Sequence, residues 1–300
     1  MAVKHLNINL QRRLKNTTIA TKRHILSHIL EGAWTTLRKG AGMEFAGYRQ
    51  YTYSDDASLI DWGASLRAKE TLVREFEEYK TFNVFFLLDV SDSMLFSSTG
   101  KLKAEFAAEV TFDLTVATSE GGEAIGLALF TDKLVTAIAP NVGGGVIHRV
   151  MKELQNPLNY GGPIDAAKAL QLSNLYLPSH QTVIVLISDF FGFRPGWERY
   201  LKSLVQRFDV IAIIIRDPRD ETLPKYAGEY YVKDPYSGQV MLIDTKTTSH
   251  MFAQAVKEED KRLANTFKET KTSYVKLYTN EDYYRKLFLF FRQLSKKRGR

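Results

Sequence analysis

The 300-residue chain contains no cysteine, which excludes structural disulfides, thiolate metal sites and cysteine nucleophiles and fits a reducing compartment. Its first residues, MAVKHLNINLQRRLKNTTIATKRH, include no apolar segment of signal-peptide type, and no apolar run approaches the ~20 residues that span a bilayer. The expected location is the cytoplasm, with a peripheral seat at a membrane surface as the variant. No Walker-type G-x-x-x-x-G-K-[ST] or G-x-G-x-x-G loop occurs, and the glycine triplet at 143–145 is followed by no Lys-Ser or Lys-Thr pair, so the usual phosphate cradles are missing. The six histidines show no metal-ligand spacing. There is no internal repeat and no low-complexity stretch.

What is present is an ordinary globular composition, 44% hydrophobic and 12% aromatic, enough for one large domain with an appendage. The formal net charge of +7 is unevenly placed. Residues 1–40 carry Lys4, Arg12, Arg13, Lys15, Lys22, Arg23, Arg38 and Lys39 against Glu31 alone, and the closing KKRGR is again basic. The stretch between is slightly acidic. Basic ends serve as solubilising termini or as contacts to an anionic surface; the aromatic interleaving of nucleic-acid binders is absent, and nucleic acid is not expected as a partner.

From about residue 82 the chain alternates between buried-strand runs and helical periods. NVFFLLDV (83–90), EAIGLALF (123–130), TVIVLISDF (182–190) and DVIAIIIRDP (209–218) are near-continuous apolar runs, the signature of parallel strands covered on both faces. KLVTAIA (133–139) reads as a short edge strand. Helical spacing marks 101–120, where Phe106, Val110, Leu114 and Ala117 share a face, then 146–156, 163–177 with Pro163 in the first turn, 196–208, about 248–270, and a closing helix to about 294. EYYVKDPYSGQVMLIDT (229–245) reads as a hairpin turned at Tyr236 to Gly238, and SYVKLYT (273–279) as a last strand. The expected fold is α/β, a doubly wound, mostly parallel sheet between helices. Residues 1–80 lack this rhythm and are read as a separate N-terminal module of extended or irregular structure, with 81–300 as the α/β domain.

Asp89 and Asp189 each end an apolar strand, and the C-terminal strand edge is where such sheets bind ligands. Ser91 and Ser93 follow Asp89 at i+2 and i+4, which places a carboxylate and two hydroxyls around one tight turn. These are hard oxygen ligands, suited to Mg2+ with several waters retained and a coordination position open. Aspartate and serine are equally good turn formers and helix caps, so the spacing alone also suits a turn.

FFLLDVSDSM (85–94), the glycine pair of NYGGPIDAA (159–167) and VLISDF (185–190) together resemble the metal-ion-dependent adhesion site of von Willebrand factor A (VWA) domains. GAGMEFAGYRQYTYSDDASLIDWGASLRAKETLVREFEE, from residue 40, resembles the signature of the bacterial and archaeal DUF58 family, in which such a module precedes a VWA-like domain; RDPRDETLP and DPYSGQVMLIDT are similar to later segments of that family. The resemblance implies that Asp89, Ser91 and Ser93 form the first metal loop and that Asp189 belongs to the third. The second loop departs from the pattern. Pro163 stands where VWA domains usually carry threonine and offers no hydroxyl, which implies a weakened or water-completed site; Asp165, two residues on, is the candidate compensating ligand. In the upstream signature Arg49, Tyr51, Asp55, Asp56, Asp61, Trp62 and Arg67 match, whereas Ser54 and Ser58 replace the usual glycine and arginine. Trp62 and Tyr51 read first as packing residues. Arg49 and Arg67 are expected to pair with Asp55, Asp56 or Asp61 and hold the module against the α/β domain, and Arg49, Asp55, Asp56, Asp61, Trp62 and Arg67 are the candidate partner-docking set.

The resemblance implies a non-catalytic interaction or adaptor protein that works with a MoxR-type AAA+ ATPase in assembly or maturation of another complex, binding an acidic side chain of a partner through its metal and taking no small-molecule substrate. The alternatives are a metal-dependent phosphohydrolase, for which Asp92 and Asp132 are the available bases, and a peripheral membrane or nucleic-acid binder acting through the basic termini.

Overall fold

The computed structural model describes residues 6–38, 44–77, 83–173, 177, 182–223, 228–233 and 239–298. In chain order the elements are α1 (Leu10–Lys15), α2 (Thr17–Arg38), β1 (Glu44–Gln50), α3 (Trp62–Ala68), β2 (Leu72–Glu77), β3 (Asn83–Asp89), α4 (Lys103–Glu120), β4 (Ala124–Phe130), β5 (Leu134–Asn141) and α5 (Gly144–Gln155). They continue with α6 (Ala166–Ser173), β6 (Thr182–Ser188), α7 (Trp197–Val205), β7 (Asp209–Arg216), α8 (Pro218–Glu221), β8 (Glu229–Lys233), β9 (Val240–Asp244), α9 (Thr245–Glu269), β10 (Ser273–Tyr278) and α10 (Tyr283–Arg298).

The expected α/β sheet forms. Its order is β10-β7-β6-β3-β4-β5, parallel throughout except for β5, which runs antiparallel beside β4 as the edge strand. Alternation along each buried strand divides the core in two. Val84, Phe86 and Leu88 of β3 join the layer with α4, α5 and α10, whereas Phe85 and Leu87 join the layer with α6, α7 and α9. The chain leaves β3 toward β4 on one side and later returns to β6 on the other. That reversal makes the strand ends between β3 and β6 the topological switch point of the sheet, where Asp89 and the residue after β6, Asp189, stand.

Close packing within the sheet is visible at Gly126 of β4. A Cβ there would lie 2.5 Å from Cδ2 of the buried Phe85 ring and 3.1 Å from the Ile138 carbonyl oxygen. Gly126→Ala is therefore expected to destabilise by about 1–3 kcal/mol through overpacking, read as a shift in the urea midpoint; an unchanged midpoint would show that the ring moves freely.

The division at residue 80 does not match the packing of the first 38 residues. α2 is a 22-residue helix rather than irregular chain, and its Leu26, Leu30, Ala33 and Trp34, with Leu10 of α1, belong to the same buried cluster as β3 and α4. Trp34 meets Phe291 of α10 edge-on at 5.6 Å between ring centres. The physical reason is α4: α2 and α5 pack on it beside the sheet, with α10 laid against α2, until nearly every side chain along α4 is buried. Two residues of the basic leader point inward. Arg13 pairs with Asp113 of α4 at 2.6 Å and with Glu109 at 2.8 Å, and Arg23, 2% exposed, lies 3.8 Å from the other Asp113 oxygen. The hydroxyls of Tyr283 and Tyr284 donate to the same carboxylate.

Residues 44–77 do form a smaller unit, an antiparallel β1–β2 pair carrying α3. The hairpin expected at 229–245 is present as β8–β9, and its turn at Tyr236 to Gly238 lies outside the described residues. α6 starts at Ala166, later than the spacing suggests; Asp165 accepts the Lys168 N–H at 3.1 Å and caps the helix, leaving Pro163 in the preceding loop.

Candidate functional site

Asp89 and Asp189 are both fully buried, as are Ser91 and Ser93 to within 4%. β3 carries Asp89 to the sheet edge, where the chain turns into a short 3-10 helix at Asp92–Leu95. One Asp89 oxygen accepts the Ser91 N–H at 2.9 Å and the other accepts the Ser188 hydroxyl at 2.6 Å. The Ser91 and Ser93 hydroxyls lie 3.2 Å apart. The three oxygen-bearing side chains of the first loop are thus gathered at one point, as the spacing suggests.

The glycine pair is stitched to that loop. Gly161 N–H donates to the Val90 carbonyl at 2.8 Å, Asp92 N–H donates to the Gly162 carbonyl at 2.9 Å, and Gly162 N–H donates to the Asp92 carboxylate at 2.9 Å. Both glycines have positive φ, +104° and +114°, a backbone that side chains disfavour. A Cβ on Gly161 would also meet the Asp92 carboxylate at 3.3 Å. Where the pattern would place a threonine, Pro163 is exposed, and Thr131 at the end of β4 is the hydroxyl beside Gly162. Asp165, the compensating ligand suggested by the sequence, spends one carboxylate oxygen on the α6 cap.

Asp189 is held differently from Asp89. One of its oxygens accepts the Phe191 N–H at 3.0 Å; the other takes the ammonium of Lys103 at 2.7 Å. Lys103 is the first residue of α4, and its side chain is 2% exposed. The same ammonium also reaches Asp220 of α8 at 2.9 Å. Arg216, at the end of β7, donates to the Asp189 carbonyl, lies over the Phe191 ring at 3.7 Å and pairs with Asp260 at 3.1 Å. Asp217 accepts from the Ser98 backbone and hydroxyl, tying the loop before α4 to the same edge. Lys103, Ser188, Asp217 and Asp220 were not singled out in the sequence. Ser188 adjoins Asp189 and had a local signal; Lys103 had none, since KLK at 101–103 looks like any solvated helix start.

Electrostatics follow from burial. Asp89 is pushed up to about 7, first by loss of water and then by the neighbouring Asp189 charge, against its hydrogen bonds from Ser188 and Ser91. Burial works against the Lys103 ammonium, yet Asp189 and Asp220 outweigh it and its pKa is raised. Asp220 is also raised, because its burial outweighs the attraction of Lys103. A buried carboxylate short of positive charge beside two convergent hydroxyls suits a small hard cation, so Asp89, Ser91 and Ser93 fit such an ion. Asp189 already has a cation of its own in Lys103. Among the described residues no group of three His, Asp or Glu side chains converges, so any ion there would depend on hydroxyls and water.

In the smaller unit the sequence-derived docking set is largely engaged within itself. Arg49 holds Asp55 with two bonds of 2.8 Å, Asp55 also accepts the Thr52 N–H at 2.7 Å, and Asp55 is held well below the usual carboxylate range, first by the Arg49 hydrogen bond. Asp56 accepts the Ser58 N–H, and Asp61 caps α3 through the Ala64 N–H at 3.0 Å while pairing with Arg74 at 3.2 Å. The Arg49–Asp55 pair is among those the sequence offers, and these pairs lie within the unit itself. Trp62 is not a packing residue: it is 66% exposed and Leu66, one turn on, is 81% exposed. Arg67 is exposed beside them.

The uncharacterized protein Rv1480 of Mycobacterium tuberculosis is 26% identical over 282 residues, covering 93% of this chain and 87% of that protein. Uncharacterized protein MAV169 of Mycobacterium avium is 31% identical over 117 residues, 38% of this chain and 66% of that one. Among solved structures, BatB from Bacteroides thetaiotaomicron aligns at a TM-score of 0.47 and 16% identity over 72% of this chain and 99% of that chain. A von Willebrand factor type A protein from Catenulispora acidiphila aligns at 0.39 and 15% over 74% of this chain and 43% of that chain. The family described as "Protein of unknown function DUF58" matches residues 47–262, a span that includes α3, the Asp89 turn, the glycine pair, Asp189 and Lys103, and the chain accordingly belongs to the DUF58 family.

Proposed function

We propose that this protein is a non-catalytic adaptor whose sheet edge holds a small divalent cation, Mg2+ first, on Asp89, Ser91 and Ser93, with a position left for an acidic side chain of a protein partner. The observation that carries the reading is the buried Asp89 with two serine hydroxyls 3.2 Å apart at the switch point between β3 and β6. A bound ion would supply a fixed positive charge for an incoming carboxylate. The chain's own part is to strip water from the loop, aim the hydroxyls and brace the turn through Gly161 and Gly162. The DUF58 resemblance nominates a MoxR-type AAA+ ATPase as that partner, and the exposed Trp62–Leu66 face of α3 adds an aromatic anchor of the kind that dominates protein interfaces.

The other readings receive less support. Asp92 and Asp132, the candidate bases for phosphoester hydrolysis, are bonded to Gly162 and Thr131. Arg13 and Arg23, counted toward a basic binding leader, are used on Asp113. No helix among the described residues is long and apolar enough to cross a membrane.

Calorimetric titration of Mg2+ into metal-stripped protein tests the proposal. Saturable heat in the millimolar range or below, lost in Asp89→Ala, is expected. A folded wild type that takes up no Mg2+, Mn2+ or Ca2+ at millimolar concentration overturns the metal reading and with it the acidic-side-chain partner.

A further inference from the structure

We propose that the Lys103 ammonium is the resident cation of this sheet edge and sets its divalent-ion affinity by competing for Asp189. The inference rests on the metal reading above and names the residue that tunes it. Three observations carry it. Lys103 is buried, and its side chain runs from the start of α4 between Phe96 and Phe191, whose ring centres lie 5.7 and 5.6 Å from the ammonium. It bonds Asp189 at 2.7 Å, the carboxylate that the strand-end geometry offers as a further ligand or water anchor for an ion on Asp89. It also bonds Asp220 at 2.9 and 3.1 Å, so a second carboxylate is already in place to keep the ammonium when Asp189 turns to another cation.

The electrostatic logic is direct. Two like-charged cations cannot share one buried carboxylate without mutual repulsion that the low-dielectric interior magnifies. With Lys103 on Asp189, an entering divalent ion meets one free carboxylate, Asp89, and two hydroxyls; without Lys103 it meets two carboxylates. The Asp220 seat makes the exchange reversible, and Asp220 is linked onward: it accepts the Asp217 N–H at 2.8 Å within the α8 cap. The lysine therefore weakens the site while keeping it assembled, and an ion that arrives together with a partner carboxylate has the advantage over an ion alone.

The test is Mg2+ titration of metal-stripped wild type, Lys103→Met and Lys103→Arg, by calorimetry and by the metal-induced rise in melting temperature, with Lys103→Gln in reserve should the methionine variant fail to fold. Loss of the charge is expected to tighten Mg2+ at least tenfold, while arginine, which keeps the charge, leaves it near wild type or weaker. Equal or weaker binding by the folded neutral variants, beside a wild type that binds, overturns the inference and leaves the metal site standing. Absence of binding in every variant overturns both.

Discussion

Asp113→Leu is expected to lower the unfolding free energy by about 3–5 kcal/mol, because it strands buried positive charge. Arg13 and Arg23 both turn toward this carboxylate from the N-terminal helices, and Tyr283 and Tyr284 donate to it from α10. Burial opposes the charged Arg13, and Tyr283, Asp113 and Glu109 hold its pKa above the ordinary value. Once the carboxylate is gone, the buried Arg23 guanidinium cannot regain water without pulling α2 off α4, and the partly exposed Arg13 keeps only Glu109 as an ion-pair partner. The variant should therefore show early protease cleavage ahead of β1 as well as a lower urea midpoint by circular dichroism. Replacing the whole cluster by apolar residues, Asp113→Leu with Arg13→Met and Arg23→Met, should recover much of the loss, since buried ion pairs exchanged for well-packed apolar groups are often neutral. A loss below about 1 kcal/mol in the single variant would mean that the arginines reach solvent and that the network does not hold these helices.

Stability is expected to fall by roughly 2–4 kcal/mol through Asp89 as the pH rises from about 4 to about 7, and Asp89→Asn should remove that part of the fall. The folded Asp89 titrates near 7 because it is buried and then because Asp189 is close, whereas in the unfolded chain an aspartate titrates near 3.9. Between those values the native state binds a proton that the unfolded state has released, so rising pH favours unfolding; above the folded value the penalty is complete and the curve levels. Asp220 is raised in the same direction, chiefly by burial, which is why the comparison is between wild type and Asp89→Asn rather than wild type alone. The lowered carboxylates, Asp55, Asp56, Asp61, Asp260 and Asp282, act with the opposite sign: their stabilisation is present above their unfolded value and is lost as pH falls toward their folded ones, below this window. Thermal melts at fixed ionic strength from pH 4 to 8 measure the slope. Parallel curves for wild type and Asp89→Asn would show that Asp89 is ionised throughout and already neutralised. Mg2+ bound at this site would flatten the wild-type curve, since an ion favours the deprotonated carboxylate.

These effects share a cause that a one-dimensional reading reaches only in part. Period and composition determined most of the sheet. The runs at 83–90, 182–190 and 209–218 are near-continuously apolar up to the polar residues at their ends, a pattern that suits a short strand covered on both faces; β3, β6 and β7 form within two residues of those limits. The D-x-S-x-S turn was also legible, because aspartate, two serines and the strand end lie within five residues, and a turn brings neighbours in sequence together by local geometry alone. α2 was readable in principle. Leu26, Leu30, Ala33 and Trp34 follow helical spacing, but the surrounding basic residues resemble a solvated leader, and nothing local says that two arginines will turn inward.

What only tertiary structure decided are the charge partners. Asp113 lies 100 residues from Arg13 and 170 from Tyr283, and Lys103 lies 86 residues from Asp189 and 117 from Asp220. Side-chain charge has no period, so the choice of partner follows from which strand ends and helix faces the sheet order places side by side. Trp62 shows the converse: a tryptophan has the composition of a core residue, but the short α3 leaves it exposed. Burial belongs to the neighbours a fold supplies, and the sequence determined the candidates while the placement of α4 beside α2, α8 and the ends of β3 and β6 determined which of them meet.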